Sequence, residues 1–259
     1  MPFDFDVGFV GAGNMGYALA KAINSYDDQL TMLAADPWRL AEKREKWHFS
    51  KQTKSNKEVF LRCRIVFLCV KPQVFSNACD GIQGQANQTL VSVIAGLSLA
   101  TMRKEFPTIP HHIRIMTNTA VTIGEGVMAV TPDSSCPKET VDEIMSILSQ
   151  CGCIETVPER CMDGVTGMSG SGIAFVYQFI EALADGGVNA GLPRAVAAKF
   201  ATQTVLAGAK MVEQTGRHPA SLKDDVTSPA GTTIAGLRAA EKGGLRYVHK
   251  CLISCKISL

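Results

Sequence analysis

The sequence predicts an α/β protein, in which a doubly wound sheet precedes an all-helical second half. Three observations predict it. Short apolar runs alternate with amphipathic stretches through residues 1–158, a glycine-rich turn follows the first run, and beyond residue 159 strand-like runs give way to Ala-rich helical segments.

The apolar runs lie at 7–10, 30–35, 65–70, 90–94 and 113–116. Each is nearly continuous rather than alternating, as expected of parallel strands covered on both faces. Helical stretches at 15–24 and 40–47 fall between them. A further unit follows, with a strand at 126–131, a helix near 138–150 and another strand at 154–157. Pro137 suits that helix's first turn, and Val141, Ile144, Met145 and Leu148 recur on one face. The second half predicts helices at 173–189 and 194–214, with Gly191 and Pro193 punctuating the break. The stretch 173–183 is apolar on more than one side (Phe175, Val176, Phe179, Ile180, Leu183), so it should be buried all round, with a subunit interface as the simplest cover. The chain thus divides into a nucleotide-binding domain, 1–158, and a helical, dimerising domain, 159–259.

Composition narrows the class. Of 259 residues, 46% are hydrophobic and 19% charged, which is ordinary for a globular chain of this size. Lys plus Arg number 26 against 24 Asp plus Glu, with no basic block, so neither nucleic acid nor a membrane surface is an expected partner. The first strand begins almost at once, leaving no room for a secretory leader. Nine cysteines, an odd number set largely in apolar segments, point to reduced thiols in the cytoplasm or an organelle such as the mitochondrion. Cys151-Gly152-Cys153 lacks structural zinc spacing, and no metal is expected.

The first strand runs into Gly11-Ala12-Gly13-Asn14-Met15-Gly16 and then a helix. Gly11 permits the tight turn, Gly13 lets backbone approach a pyrophosphate, and Gly16 allows close packing of the helix. The helix start offers free N–H groups and the positive end of its dipole to phosphates. The second strand ends at Asp36, 20 residues after Gly16, where a carboxylate accepts the ribose hydroxyls. A carboxylate there repels a 2′-phosphate, although Arg39 and Lys43 offset some of that repulsion. The cofactor is therefore NADH or NADPH, with NADH preferred. Asp36 would serve equally as a helix N-cap.

Three further segments complete the pattern: Cys69-Val70-Lys71-Pro72 at the end of a strand, Gly167-Met168-Ser169-Gly170-Ser171-Gly172, and residues 222–237, which include Asp225 and Ser228-Pro229-Ala230-Gly231-Thr232-Thr233. With the glycine loop, they make residues 6–245 resemble the pyrroline-5-carboxylate reductase family. The resemblance implies a Rossmann domain, an all-helical dimerisation domain and a homodimer or larger homo-oligomer. It also implies hydride transfer from NAD(P)H to the C=N bond of 1-pyrroline-5-carboxylate, giving proline. By the same matching, Asn56, Val70, Lys71, Pro72 and Ala95 join Gly11, Ala12, Gly13, Asn14, Met15, Gly16 and Asp36 as cofactor contacts. Glu159, Asp225, Ser228, Gly231, Thr232 and Thr233 surround the substrate. The chain departs from the pattern at Asp225, Ala120, Ile173 and Ala240, and beyond residue 246.

Such chemistry needs a donor held about 3–3.5 Å from the imine carbon, and orientation matters more than a strong acid. No histidine among His48, His111, His112, His218 and His249 sits in a catalytic-looking motif. The helix opening at 228–233 can receive a carboxylate, and the Thr233 hydroxyl can bond the ring nitrogen as the catalytic group. As a purely structural feature, Ser228 with Pro229 reads as an N-cap followed by proline at the first helical position. Glu159 could equally be a surface carboxylate paired with Arg160 or another base. Two rivals remain, a non-catalytic nucleotide-binding variant and a related imine or β-hydroxy acid reductase. The latter would be expected to carry a lysine within 159–189, where there is none.

Overall fold

The computed structural model describes residues 3–36 and 49–247. The predicted helix at 40–47, with Arg39 and Lys43, lies outside the described residues. The described chain divides into two compact units, which meet in sequence between Gly170 and Ser171.

The first unit is an eight-stranded sheet ordered β3-β2-β1-β4-β5-β6-β7-β8. Its strands are β1 (Phe5–Val10), β2 (Met32–Ala35), β3 (Lys51–Thr53), β4 (Cys63–Leu68), β5 (Thr89–Ser92), β6 (His111–Met116), β7 (Gly126–Pro132) and β8 (Gly152–Thr156). β1 to β6 are mutually parallel, and the central ones read as apolar runs because both of their faces are covered. β7 pairs antiparallel with β6, and β8 runs parallel to β7. That reversal follows from connection length: residues 117–125 hold only a 3-10 turn (Thr119–Ile123), too little chain for a crossover helix. The polar strand β3, three residues at the sheet edge, carries no apolar run by which it could be predicted.

The helices of this unit are α1 (Asn14–Tyr26), α2 (Asn56–Arg62), α3 (Phe75–Cys79), α4 (Leu99–Glu105), α5 (Lys138–Ile147) and α6 (Met162–Val165). One apolar layer joins alternate strand residues such as Phe9, Ile65 and Phe67 to Leu19 and Ile23 of α1 and Ile144 of α5. The other joins Val10, Val66 and Leu68 to Val59 and Phe60 of α2 and Met102 of α4. Phe9 stacks on Phe67 at 5.3 Å, and Phe60 stacks on Phe106 at 5.2 Å, one pair in each layer. Each such ring, fully buried, contributes about 1.5–3 kcal/mol. Pro137 stands at the N-cap of α5 rather than inside its first turn, its ψ of 147° being extended.

After α6 the backbone widens into a π-helical segment, Thr166–Ser171, which covers most of the glycine-serine motif. Asn118, two residues past β6 and at the cap of the 3-10 turn, holds it by donating its Nδ2–H to the Ser169 carbonyl at 3.1 Å.

The second unit is helical: α7 (Gly172–Asn189), α8 (Arg194–Thr215), α9 (Pro219–Asp225) and α10 (Thr232–Lys242). α7 and α8 pack closely where Gly187 meets Ala197, since a methyl at Gly187 would lie 3.2 Å from the Ala197 Cβ. α7 is not buried all round within one chain. Its one fully buried residue is Ala184, while Val176, Phe179 and Leu183 are 40–45% exposed. Phe200 of α8 is 57% exposed as well. Within this unit α8 covers only part of α7, which leaves an apolar surface of the kind an oligomer covers. No helix among the described residues is long and apolar enough to cross a membrane.

Candidate active site

β1 ends in the glycine loop at the carboxyl edge of the sheet. Gly11 takes φ of +91°, and its N–H donates to the Ala35 carbonyl at 2.8 Å, so the turn is tied to the end of β2. A side chain is excluded there by conformation. A methyl at Gly16 would run into the Gly11 carbonyl and approach Cys69, so the third glycine lets α1 start directly beneath the turn. Gly13 occupies the N-cap of α1 with no side-chain capping bond, and the first turn has no acidic residue. The helix thus presents N–H groups and a positive dipole end, the arrangement that receives phosphate.

Asp36, just past β2 and buried, accepts the Ala12 N–H through Oδ2 at 3.1 Å. Asn56 opens α2, which Ser55 caps, and its Nδ2–H donates to the Ala78 carbonyl at 2.9 Å. Lys71 caps a 3-10 turn that Pro72 begins, at the carboxyl end of β4.

One cavity of about 810 Å³ gathers these parts, lined by Gly11, Gly13, Asn14, Met15, Asp36, Asn56, Val70 and Lys71. All eight are residues the sequence nominated. Ala12, Gly16, Pro72 and Ala95 are not in its lining. Ala12 and Gly16 act behind the loop, through the bond to Asp36 and the fit beneath Gly11 respectively. Ala95 follows β5, one residue before Gly96, whose φ is +80°. The lining also includes Cys69, Val74, Asn77 and Ala78, which sequence reasoning missed. Part of the signal was present: Cys69 opens the Cys69-Val70-Lys71-Pro72 segment, and the turn that Pro72 begins leads through Val74 into the five-residue α3, which carries Asn77 and Ala78.

Glu159 lies in the first unit and is engaged through one carboxylate oxygen. Its Oε1 accepts the Leu99 N–H at the start of α4 at 2.8 Å and a guanidinium N–H of Arg114 at 3.1 Å. Its base partner is therefore Arg114 of β6, not the adjacent Arg160. A single arginine within the apolar run 113–116 was the available signal, since a buried guanidinium requires a carboxylate.

In the second unit, Asp225 ends α9 and pairs with Arg217 at 2.7 Å, which holds its carboxyl below the usual range. Ser228 to Gly231 form a turn closed by the Gly231 N–H on the Ser228 carbonyl at 3.1 Å, with Ala230 at φ of +58°. α10 begins only at Thr232, and Gly231 is its N-cap. Ser228 and Pro229 are therefore not the cap and first helical residue that the sequence suggested, because left-handed Ala230 intervenes. Gly231, Thr232 and Thr233 stand together at a helix start with no side-chain cap, and Ser228 closes the turn before it. His218 caps α9, its Nδ1 accepting the Ala220 N–H at 3.2 Å. No group of three metal-ligating side chains occurs among the described residues.

The sheet and its phosphate cradle define a Rossmann-type, NAD(P)H-dependent oxidoreductase. Sequence comparison is more particular. Residues 159–255 match the pyrroline-5-carboxylate reductase dimerisation family, and residues 6–96 match the NADP oxidoreductase, coenzyme F420-dependent family. The pyrroline-5-carboxylate reductase of Synechocystis is 41% identical over 245 residues, spanning 93% of this chain and 91% of its own. Pyrroline-5-carboxylate reductase 3 of Mus musculus is 39% identical over 249 residues, 93% of this chain and 89% of its own. The crystal structure of Plasmodium falciparum pyrroline carboxylate reductase with NADP bound superimposes with a TM-score of 0.86 at 28% identity, covering 98% of this chain and 97% of that one. The chain belongs to the pyrroline-5-carboxylate reductase family.

Proposed function

We propose that this chain reduces 1-pyrroline-5-carboxylate to L-proline, the last step of proline biosynthesis, with NADH preferred over NADPH. The observation that carries the reading is the cradle itself. Gly11 and Gly16 leave no room for side chains, the α1 N-terminus is uncapped, and Asp36 is tied to the loop at Ala12, in a chain 41% identical to a named reductase. The reduced nicotinamide supplies the hydride. The α1 N-terminus and Lys71 hold its phosphates, and Asp36 its adenosine ribose, where a carboxylate favours hydroxyls over a 2′-phosphate.

The substrate end is assigned to Glu159, Asp225, Ser228, Gly231, Thr232 and Thr233. The N–H groups opening α10 take the substrate carboxylate, and the Thr233 hydroxyl orients the ring nitrogen, which must carry a proton as the carbon is reduced. The same reading divides the chain at 158/159, makes the helical part the contact of a homodimer in the cytoplasm, and expects neither nucleic acid nor membrane as a partner. The apolar surface of α7 and α8 supports the dimer.

The test is cofactor oxidation with pyrroline-5-carboxylate, in parallel with Thr233→Ala. Proline formation that is faster with NADH, and turnover that collapses in the variant while NADH affinity holds, is the expected result. Undiminished turnover in Thr233→Ala would remove the substrate-site assignment.

A further inference from the structure

The walls of the cleft include residues beyond the phosphate cradle and Asp36. Val70, Val74 and Ala78, from the end of β4 to the short α3, supply apolar wall, and Asn56 of α2 and Asn77 of α3 supply carboxamides. Apolar walls with a few polar groups are what a flat heteroaromatic base requires. We propose that Asn77 is a specificity-determining residue for the adenine base, reading its amino edge together with Asn56. This rests on the NAD(P)H reading of the same cleft.

The two carboxamides are not equivalent. Asn56 is half-buried, and the bond from its Nδ2–H to the Ala78 carbonyl at 2.9 Å fixes which way the group points. Its Oδ1 is therefore presented as an acceptor. Asn77 is exposed on α3, one residue before Ala78, so its amide can turn to present both an acceptor and a donor. Adenine offers a complementary pair along one edge, an amino donor beside a ring-nitrogen acceptor, and asparagine meets that pair with two parallel hydrogen bonds. Hypoxanthine replaces the amino donor with a carbonyl acceptor. The acceptor set by Asn56 and one arm of Asn77 would then face an oxygen.

Position favours this assignment. Asn56 follows β3 and Asn77 follows β4, both past the carboxyl ends of their strands, and both line one cavity with Asp36, which follows β2. A dinucleotide whose pyrophosphate sits at α1 and whose ribose sits at Asp36 places its base there. Val74, 40% exposed, stands one turn before Asn77 on the same wall. Together they give a face to stack on and an edge to bond.

The experiment is direct binding of NADH and of its deamino analogue, the hypoxanthine dinucleotide, to the full chain and to Asn77→Ala, read by nucleotide fluorescence. The unmodified chain should bind NADH about tenfold more tightly than the analogue, the scale of one bidentate base contact. Asn77→Ala should weaken NADH about fivefold or more and leave the analogue nearly unchanged, so that the ratio falls toward one. An unaltered ratio in Asn77→Ala, with NADH still bound, overturns the role of Asn77 and leaves the cofactor reading intact. If the full chain binds neither nucleotide, both fall. As an exposed residue on a short helix, Asn77 can lose its amide without loss of the fold, which the melting temperature of the variant checks.

Discussion

Asp36 Oδ2 accepts the backbone N–H of Ala12 at 3.1 Å, joining the end of the second strand to the middle of the glycine loop. The carboxylate thus shapes the glycine loop and, on the proposed reading, would set the charge beside the ribose. Asp36→Ser removes that charge, so NADH should bind about tenfold more weakly and NADPH more tightly, on the scale of one charge-assisted hydrogen bond. Asp36→Asn keeps an acceptor for Ala12 and should leave the melting temperature nearer that of the parent. Steady-state kinetics with both cofactors decide this. A preference for NADPH already present in the parent chain would contradict the assigned role of Asp36.

Glu159 offers a different kind of test. Arg114 is only 8% exposed, and Glu159 is the carboxylate bonded to it, while the same oxygen holds the start of α4. Glu159→Gln should therefore cost about 1–2 kcal/mol of stability, less than a fully buried pair because the Glu159 side chain is 35% exposed. Denaturant melts measure the loss. A variant as stable as the parent but with a raised KM for the imine would make Glu159 a substrate contact first and a strut second.

Ala230 is the non-glycine residue with positive φ among those described, at +58°. An L-residue with a Cβ is strained there, whereas glycine is not, although glycine adds entropy to the unfolded chain. Ala230→Gly should raise stability by about 0.5–1 kcal/mol while the turn before α10 keeps its shape. Thermal denaturation reads the gain, and a loss would show that the turn relies on the methyl group.

Acid should weaken the fold in two stages. Burial holds the His112 imidazole below its ordinary range, against the opposing pull of Asp133 and its bond to the Phe106 backbone, while Arg103 and His111 reinforce the lowering. The folded state thus prefers the neutral ring. Its contribution is complete above the unfolded value of about 6.5 and declines as pH falls from there toward the lower folded value. Asp133 follows. Burial would raise its carboxyl, but hydrogen bonds from Arg103, the Ser135 N–H and the Ser134 hydroxyl outweigh that and hold it low. Its contribution is present above about pH 4 and is lost as pH falls through the folded value. Asp133→Asn should be about 1–3 kcal/mol less stable at pH 7, with the gap narrowing below pH 4. Melts across that range test it, and a gap that is constant with pH would deny the charge its role.

Much of the molecule was legible before its coordinates. The runs at 7–10, 65–70 and 90–94 are strands because parallel strands buried on both faces must be apolar throughout, and that pattern is local. The glycine loop was legible for the same reason: positive φ at Gly11 and the tight space at Gly16 are written in the residues themselves. Asp36, found by its spacing from that loop, lines one cavity with Asn56 and Lys71, which the family resemblance implied.

What sequence left open depends on partners distant along the chain. The antiparallel entry of β7, the polar strand β3 and the pairing of Glu159 with Arg114, 45 residues away, are decided by how elements pack rather than by what each prefers alone. So is the true start of α10, where a left-handed Ala230 displaces the cap from Ser228 to Gly231. Composition and turn chemistry act over a few residues, and they determined the class of fold and the cradle, while the family came from the resemblance carried by segments such as Ser228–Thr233. Register, strand direction and the choice of ion-pair partner arise only when the layers close on one another, because there each buried charge and backbone group must find whatever partner the packing brings near.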